Sequence, residues 1–359
     1  MTSLLRSFAK TSPVALPRAS LVCPGFLKLK ETGPGANRAE AFRGNHRLMS
    51  GRILSLPRRE GALSNPACIW QGPGMSRYRT FRIDFGRDDN INFHMHLDVD
   101  DLAHRHLISH FSIDLFYEHE LTLFLGLALR RGDCFVDVGA NAGYFSLFAS
   151  RLVGPQGIVH AVEANPRNAA LLAHNIKLNG LENVRLTEKA ASDAEGVIEF
   201  AAFASGDSNG AIWNPRNEGD AAVEKLTVAA TRLDAIVDRV PRVIKIDTEG
   251  AEPKVLAGAE RLLSQGVPFI VAELNIGGLL AFGSSPRELR GFMRSRGYET
   301  FIFSPRGELP TYVPPGTEIR TAYVTNILFA RPDALSECWP TVTTESAVEI
   351  KERENAARS

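Results

Sequence analysis

Between residues 134 and 274, short apolar runs alternate with segments of helical period, and few folds can accommodate that alternation. The strands predicted are "CFVDV" (134–138), "IVHAVE" (158–163), "VRLTEKA" (184–190), "RVIKID" (242–247) and "PFIVAEL" (268–274). Helices are predicted over 143–152, 166–178, 251–264 and 286–296. The second carries its own punctuation: Asn165 as cap, Pro166 at the first position and Gly180 past the end. Continuous apolar strands separated by helices call for a parallel sheet covered on both faces. "IEFAAF" and "KLTVAATRL" add a strand pair before the fourth core strand. "YETFIFS" and "AYVTNILFA" (322–330) close the region without a clear helical spacer, so the last strand is expected to run antiparallel.

Upstream, "TFRIDFG" and "INFHMHLDV" alternate apolar and polar residues as a strand pair around the turn-like "RDDN". "LFYEHELTLFLGLALRRGD" reads as a helix ended by Gly132, with Leu121, Phe124, Leu125 and Ala128 as its apolar side. Residues 1–80 differ: they hold thirteen Lys/Arg against three acids and show no hydrophobic period. The chain therefore divides into a basic extension expected to be disordered (1–79), an accessory strand pair and helix (80–125), a catalytic domain (126–332) and a polar tail (333–359). "MTSLLRSFAK" also has the composition of an organelle transit peptide; without that role the location expected is cytoplasmic.

Zero net charge gives no electrostatic case for nucleic acid, and no apolar run reaches the ~18 residues a membrane span needs. Four scattered cysteines without a CxxC pair fit a reducing compartment. His94 and His96 would share one strand face, but nothing completes a ligand set, so no metal is expected.

The chemistry concentrates where strands end. In "FVDVGANAGYFS" (135–146) a strand passes into a helix through Gly139, Asn141 and Gly143, with Asp137 just before. The glycines let the backbone approach a ligand closely, and the helix start favours a polar or anionic group. A dinucleotide loop reads GxGxxG; its second glycine, which admits a pyrophosphate, is missing here. Asp137 would repel a pyrophosphate and attract a cation. Glu163 ends the second strand in "AVEANP", where an acid can accept both hydrogen bonds of a ribose diol. The ligand that suits both segments is a nucleoside with a cationic or zwitterionic arm. Asp193, in "EKAASDAEG", either accepts from an adenine amine or belongs to a plain turn. In "VIKIDTEGAEPKVLAGAERLL" the strand ends at Asp247, and Glu249 and Glu252 follow; Glu252 also suits a helix start. Glu273 lies near the end of the next strand.

These segments resemble the class I methyltransferases that use S-adenosylmethionine, and within them the FkbM family. "DVGANAGYFS", "AVEANP", "AASD", "TRLDAI", "VIKIDTEGAEPKVLAGA" and "TNILFA" carry the resemblance, over about 115–331. It implies a Rossmann-like, doubly wound α/β fold: a mainly parallel seven-stranded sheet with its last strand antiparallel. It implies S-adenosyl-L-methionine as cofactor and methylation of a hydroxyl on a small molecule or glycan. Asp137, Gly139, Asn141, Gly143, Glu163, Asp193 and Asp247 would then bind the cofactor, while Asp247, Glu249, Glu252 and Glu273 supply the catalytic carboxylates. The rival readings are an NAD-binding oxidoreductase, a nucleic-acid methyltransferase and a non-catalytic scaffold. "DTEG" stands where a base-amine enzyme carries D/N-P-P-Y/F, which argues against the second.

Overall fold

The computed structural model describes residues 77–83, 85, 91–112, 116–203, 210–213, 223–303, 309–321, 323–339, 342 and 344, all within one unit, Arg52–Ser359. The basic extension before residue 77, the "RDDN" turn and the end of the polar tail lie outside the described residues.

A hairpin of β1 (Tyr78–Ile83) and β2 (Phe93–Asp98) leads into α1 (Leu102–Ser112) and α2 (His119–Ala128). The alternation then begins with β3 (Cys134–Val138), α3 (Tyr144–Val153), β4 (Ile158–Val162), α4 (Pro166–Leu178) and β5 (Val184–Thr187). Four strands interrupt it: β6 (Ala190–Ala191), β7 (Gly196–Phe203), β8 (Gly210–Ile212) and β9 (Val223–Thr231). It resumes with α5 (Leu233–Ile236), β10 (Val243–Ile246), α6 (Glu252–Ala257), α7 (Glu260–Ser264), β11 (Phe269–Leu274), α8 (Ile276–Ala281) and α9 (Pro286–Arg294). β12 (Glu299–Ile302), β13 (Thr311–Tyr312), β14 (Thr325–Ala330) and α10 (Pro332–Cys338) end it.

The main sheet runs β13-β12-β14-β11-β10-β3-β4-β5, with β14 antiparallel to both β11 and β12. This is the expected seven-stranded, doubly wound order with one addition, the two-residue β13 on its edge. The winding reverses between β3 and β10, which are parallel neighbours, so a ligand crevice opens at their carboxyl ends. Strand alternation sorts the core into two layers. Phe135, Val243, Phe269 and Val271 pack on the face covered by α2 and α3. Val136, Ile244, Ile246, Ile270 and Ala272 pack on the other face with α6 and α7.

Several boundaries differ from the sequence reading, each for a local reason. The helix over 115–133 begins only at His119, because Glu118 takes a left-handed backbone (φ 40), and it ends at Ala128. The helix over 251–264 is two short ones broken at Gly258, where a Cβ would stand 2.0 Å from the Ser192 carbonyl oxygen. β5 stops at Thr187, and Ala190–Ala191 pairs instead with β9 in a second sheet, β6-β9-β7-β8. Four helices, α1, α5, α8 and α10, were not foreseen. α10 carries Leu335 and the following Trp339 into the core, within a stretch that reads as polar tail. No helix among the described residues is long and apolar enough to cross a membrane.

Candidate active site

β3, β10 and β11 each carry one charged residue near their carboxyl end on the α2/α3 face: Asp137, Lys245 and Glu273. The register sets Lys245 beside Asp137 on one side and Val271, two residues before Glu273, on the other. Lys245 Nζ donates to Asp247 Oδ2 at 3.1 Å and lies 3.7 Å from Asp137 Oδ1. Burial works against the charge on Lys245, but Asp247, Asp137 and Glu118 outweigh it and raise its pKa. Asp137 is buried, accepts from Ser146 Oγ at 2.6 Å and is pushed upward by that burial. Its carboxylate thus stands behind the cavity wall, holding Lys245, and is not among the lining residues.

The loop after β3 is shaped by close approach. Gly139 has φ 74, and a Cβ there would stand 1.9 Å from the Asp247 carbonyl oxygen, so only glycine lets β10 end beside it. Asn141, also left-handed (φ 48), folds its Oδ1 onto the Ala142 amide at 2.7 Å. The Asn141 amide donates to Glu163 Oε2 at 2.7 Å, and the Asn165 amide donates to Glu163 Oε1 at 2.8 Å. Each Glu163 oxygen therefore uses one acceptor position on backbone and keeps another for the cavity it lines. Burial pushes this carboxyl up to about 7 despite those two amides. Gly143 (φ 99) caps α3.

Asp247, Glu249 and Glu273 meet in the cavity lining, and their oxygens lie within 4.8 Å of one another, close enough for one divalent cation to bridge. Glu249 Oε2 accepts from Asn275 Nδ2 at 2.6 Å. Burial, then the neighbouring Asp247 and Glu249, hold the Glu273 carboxyl well above its usual range. Glu252 is placed differently: fully buried and outside the lining, its Oε1 accepts from the Thr248 amide, the Thr248 hydroxyl and the Gly250 amide, each at 3.1 Å. It braces the turn after β10. Asp193 is exposed, accepts from Ser192 Oγ at 3.0 Å and does not line the cavity; Lys189, Ala190 and Ala191 do.

Several lining residues were missed from sequence, Lys245, Tyr117, Glu118, His104 and Lys189 among them. Lys245 had a signal: "VIKI" and "CFVDV" are buried runs, each broken near its end by one charge of opposite sign. Tyr117 and Glu118 precede α2, and His104 lies on α1, so only tertiary packing brings them to the rim. Glu118 Oε2 accepts from Asn326 Nδ2 at 2.6 Å, and burial raises its carboxyl to about 7 while Lys245 pulls the other way. The second sheet closes the cavity with Phe200, Ala211 and Ile212. His94 and His96 do not line it; they lie on β2, where the His96 ring stacks on Tyr78.

A sequence family described as the methyltransferase FkbM domain matches residues 137–300. The chain is 32% identical over 179 residues to 31-O-demethyl-FK506 methyltransferase FkbM of Streptomyces tacrolimicus, across 42% of this chain and 68% of that protein. It is 33% identical over 129 residues to a probable cobalt-precorrin-6B C(15)-methyltransferase of Methanosarcina mazei, across 34% of this chain and 67% of that one. A protein-L-isoaspartate O-methyltransferase of Ignicoccus hospitalis matches over 56 residues at 39% identity; the match spans 26% of its length and 16% of this chain. A crystal structure of methyltransferase FkbM from Methylobacillus flagellatus aligns at TM-score 0.36 and 17% identity, over 55% of this chain and 43% of that one. That overlap is partial, and the fold rests on the strand order above.

Proposed function

We propose that this chain, which belongs to the FkbM family of S-adenosylmethionine-dependent methyltransferases, transfers a methyl group to a hydroxyl oxygen of a small molecule or glycan. One observation carries the reading. Five carboxylates line the cavity (Glu118, Glu163, Asp247, Glu249 and Glu273), and Lys245, among them, is already engaged by Asp137 and Asp247. Buried negative charge in such excess fits a ligand that brings positive charge with it. The residues present therefore suit the cofactor: Glu163 has oxygens to spare for a ribose diol, and the loop 139–143 admits an amino-acid arm. Asp137 acts through Lys245, and Asp193 reaches an adenine amine only by turning inward from its exposed loop.

The cofactor, when bound, supplies a methyl group on a positively charged sulfur. The residues of this chain hold the acceptor hydroxyl in line with that methyl and receive its proton. Glu273 is the best placed of the acids read as bases. Its Oε2 is buried without a hydrogen-bond partner, whereas Asp247 is engaged by Lys245, Glu249 by Asn275 and Glu252 by a turn. Burial and the acids around it raise its pKa, which makes it a stronger base once ionised, and a positively charged cofactor, when bound, would favour that ionised form. Glu273 would receive the proton that the acceptor hydroxyl gives up as its oxygen is methylated.

The test is labelled methyl transfer from S-adenosylmethionine into cell-extract fractions, with mass spectrometry of whatever gains label. A label on oxygen supports the reading, and one on carbon or nitrogen overturns hydroxyl transfer. With the acceptor in hand, Glu273→Gln should lower kcat about 100-fold while cofactor binding changes little; unchanged kcat removes Glu273 as base.

A further inference from the structure

We infer that Glu118 holds a second hydroxyl of the acceptor, on the carbon next to the one whose oxygen is methylated, so that the acceptor is a neutral vicinal diol. The inference rests on the methyl-transfer reading above and names the acceptor class for that same site.

Strand order separates the two ends of the cavity. The glycine loop after β3 and Glu163 after β4 suit the cofactor, and β10, β11 and β14 lie on the other side of β3. Glu118 belongs to that second side. Its Oε2 accepts from Nδ2 of Asn326 on β14, and Asn326 is the cross-strand partner of Glu273 on β11. Opposed residues of an antiparallel pair present their side chains on one face, close together, so Asn326 brings the Glu118 carboxyl beside that of Glu273. Burial first, then Asp247, Glu249 and Glu118, hold Glu273 above its usual range. The Tyr117 hydroxyl is hydrogen-bonded to Glu118 and lies near Asp247 and Glu273 as well.

The backbone also singles out Glu118. Among the described residues three besides glycine are left-handed, Glu118 (φ 40), Asn141 (φ 48) and Glu249 (φ 55), and all three line the cavity. Asn141 shapes the loop whose amide meets Glu163. Glu249 sits in a turn pressed against α8, where a Cβ on Gly278 would stand 2.3 Å from the Glu249 carbonyl oxygen. Glu118 has no such close approach to answer. It precedes α2 without capping it, and its side chain turns to Asn326 and the cavity instead. Strained backbone kept beside a cavity points to a side chain that the site uses. Its carboxylate also has capacity left: two oxygens offer about four acceptor positions, and Asn326 and Tyr117 do not fill them.

Charge decides what the ligand group is. An acid on the acceptor would meet Glu118, Asp247, Glu249 and Glu273, and Lys245, the cation among them, is already held by Asp137 and Asp247. A hydroxyl is neutral and donates to a carboxylate. Hydroxyls on adjacent carbons stand about a hydrogen-bond length apart, which suits two carboxyls set side by side. Glu273 takes the proton of the reacting oxygen, and Glu118 holds its neighbour and so fixes which of the two oxygens meets the methyl group.

The test uses the acceptor recovered by labelled methyl transfer. NMR of the purified product should show a free hydroxyl on the carbon next to the methyl ether; an acid, an amine or no polar group there overturns the inference. That acceptor is then compared with its analogue lacking the neighbouring hydroxyl. Glu118→Ala should raise KM for the diol roughly tenfold and leave kcat/KM for the deoxy analogue within about twofold of the unaltered protein's. Retained binding of S-adenosylhomocysteine by calorimetry shows that a variant is folded. Glu118→Gln, which still accepts from Asn326, carries the same comparison at smaller size should the alanine variant fail that check. Equal losses on both acceptors, or no loss on either, would overturn the role given to Glu118. If the unaltered protein labels no fraction at all, the methyl-transfer reading itself fails.

Discussion

Lys245 shows how one residue organises the rim. It is 3% exposed, yet it stays charged because carboxylates flank it from two strands. Removing the ammonium leaves Asp137 and Asp247 facing the same space with no counter-charge. Breaking a buried pair from one side typically costs about 3–5 kcal/mol, since the surviving charge has lost its solvent and its partner. Lys245→Met should therefore destabilise the protein by about that amount in urea denaturation, and Asp137→Asn in the same chain should recover part of it. A loss below about 1 kcal/mol would mean that the aspartates simply take up protons, and that Lys245 matters less than its burial suggests. At this scale sequence was informative wherever a residue acts through its own backbone neighbourhood. Gly139, Asn141 and Glu163 sit within or beside turns whose geometry their types dictate, so their places could be read. Asp137 and Glu252 were legible as acids at strand ends but not as braces, because the partners that engage them are set by side-chain direction.

At the scale of elements, the accessory hairpin is tied to the core through α4. Asn175, fully buried, accepts from the His96 amide at 2.7 Å and donates to the His96 carbonyl and to the Ala142 carbonyl in the glycine loop. One turn later Asn179 repeats the pattern on His94. Two asparagines four residues apart thus act like a paired strand for β2. Asn175→Ala leaves a buried amide and carbonyls unmatched, a loss of about 1–3 kcal/mol. Hydrogen exchange of the His96 amide should accelerate by a larger factor than exchange within β3 or β10. Uniform acceleration would show that the hairpin and core open as one unit. The hairpin strands were visible as alternating runs, and the core helices as 3.6-residue stripes. α1 was not, because "LAHRHLISHFS" mixes polar residues into its apolar side and starts without an acid in its first turn. Its place over the cavity depends on the hairpin being docked first, which no local pattern records. The break at Gly258 is of the same kind: it answers to the Ser192 carbonyl, sixty-six residues upstream.

For the whole molecule, zero net charge conceals an uneven distribution: the cavity and the turn beneath it concentrate buried acid. Burial raises Glu118, Glu163 and Glu252 from an ordinary 4.5 to about 7 each. Below 4.5 the folded and unfolded chains both hold these protons, and the three groups contribute no pH dependence. Between 4.5 and 7 the unfolded chain releases them while the folded chain keeps them. The unfolded state then binds fewer protons, so the contribution of these groups to stability falls as pH rises through that window and levels off above it. The melting temperature of the ligand-free protein should accordingly decline between about pH 5 and pH 7.5. S-adenosylmethionine binds only the folded form, so it stabilises in proportion to its affinity. Because Glu118 and Glu163 line the cavity and must ionise to attract a cation, the rise in melting temperature that it produces should grow over the same interval. Glu118→Gln should flatten part of both trends. A melting temperature that climbs steadily from pH 5 to 7.5 without ligand, or a ligand effect constant across it, would mean that these carboxyls are ionised in the free protein and that the cavity does not store the charge imbalance on which cation binding depends.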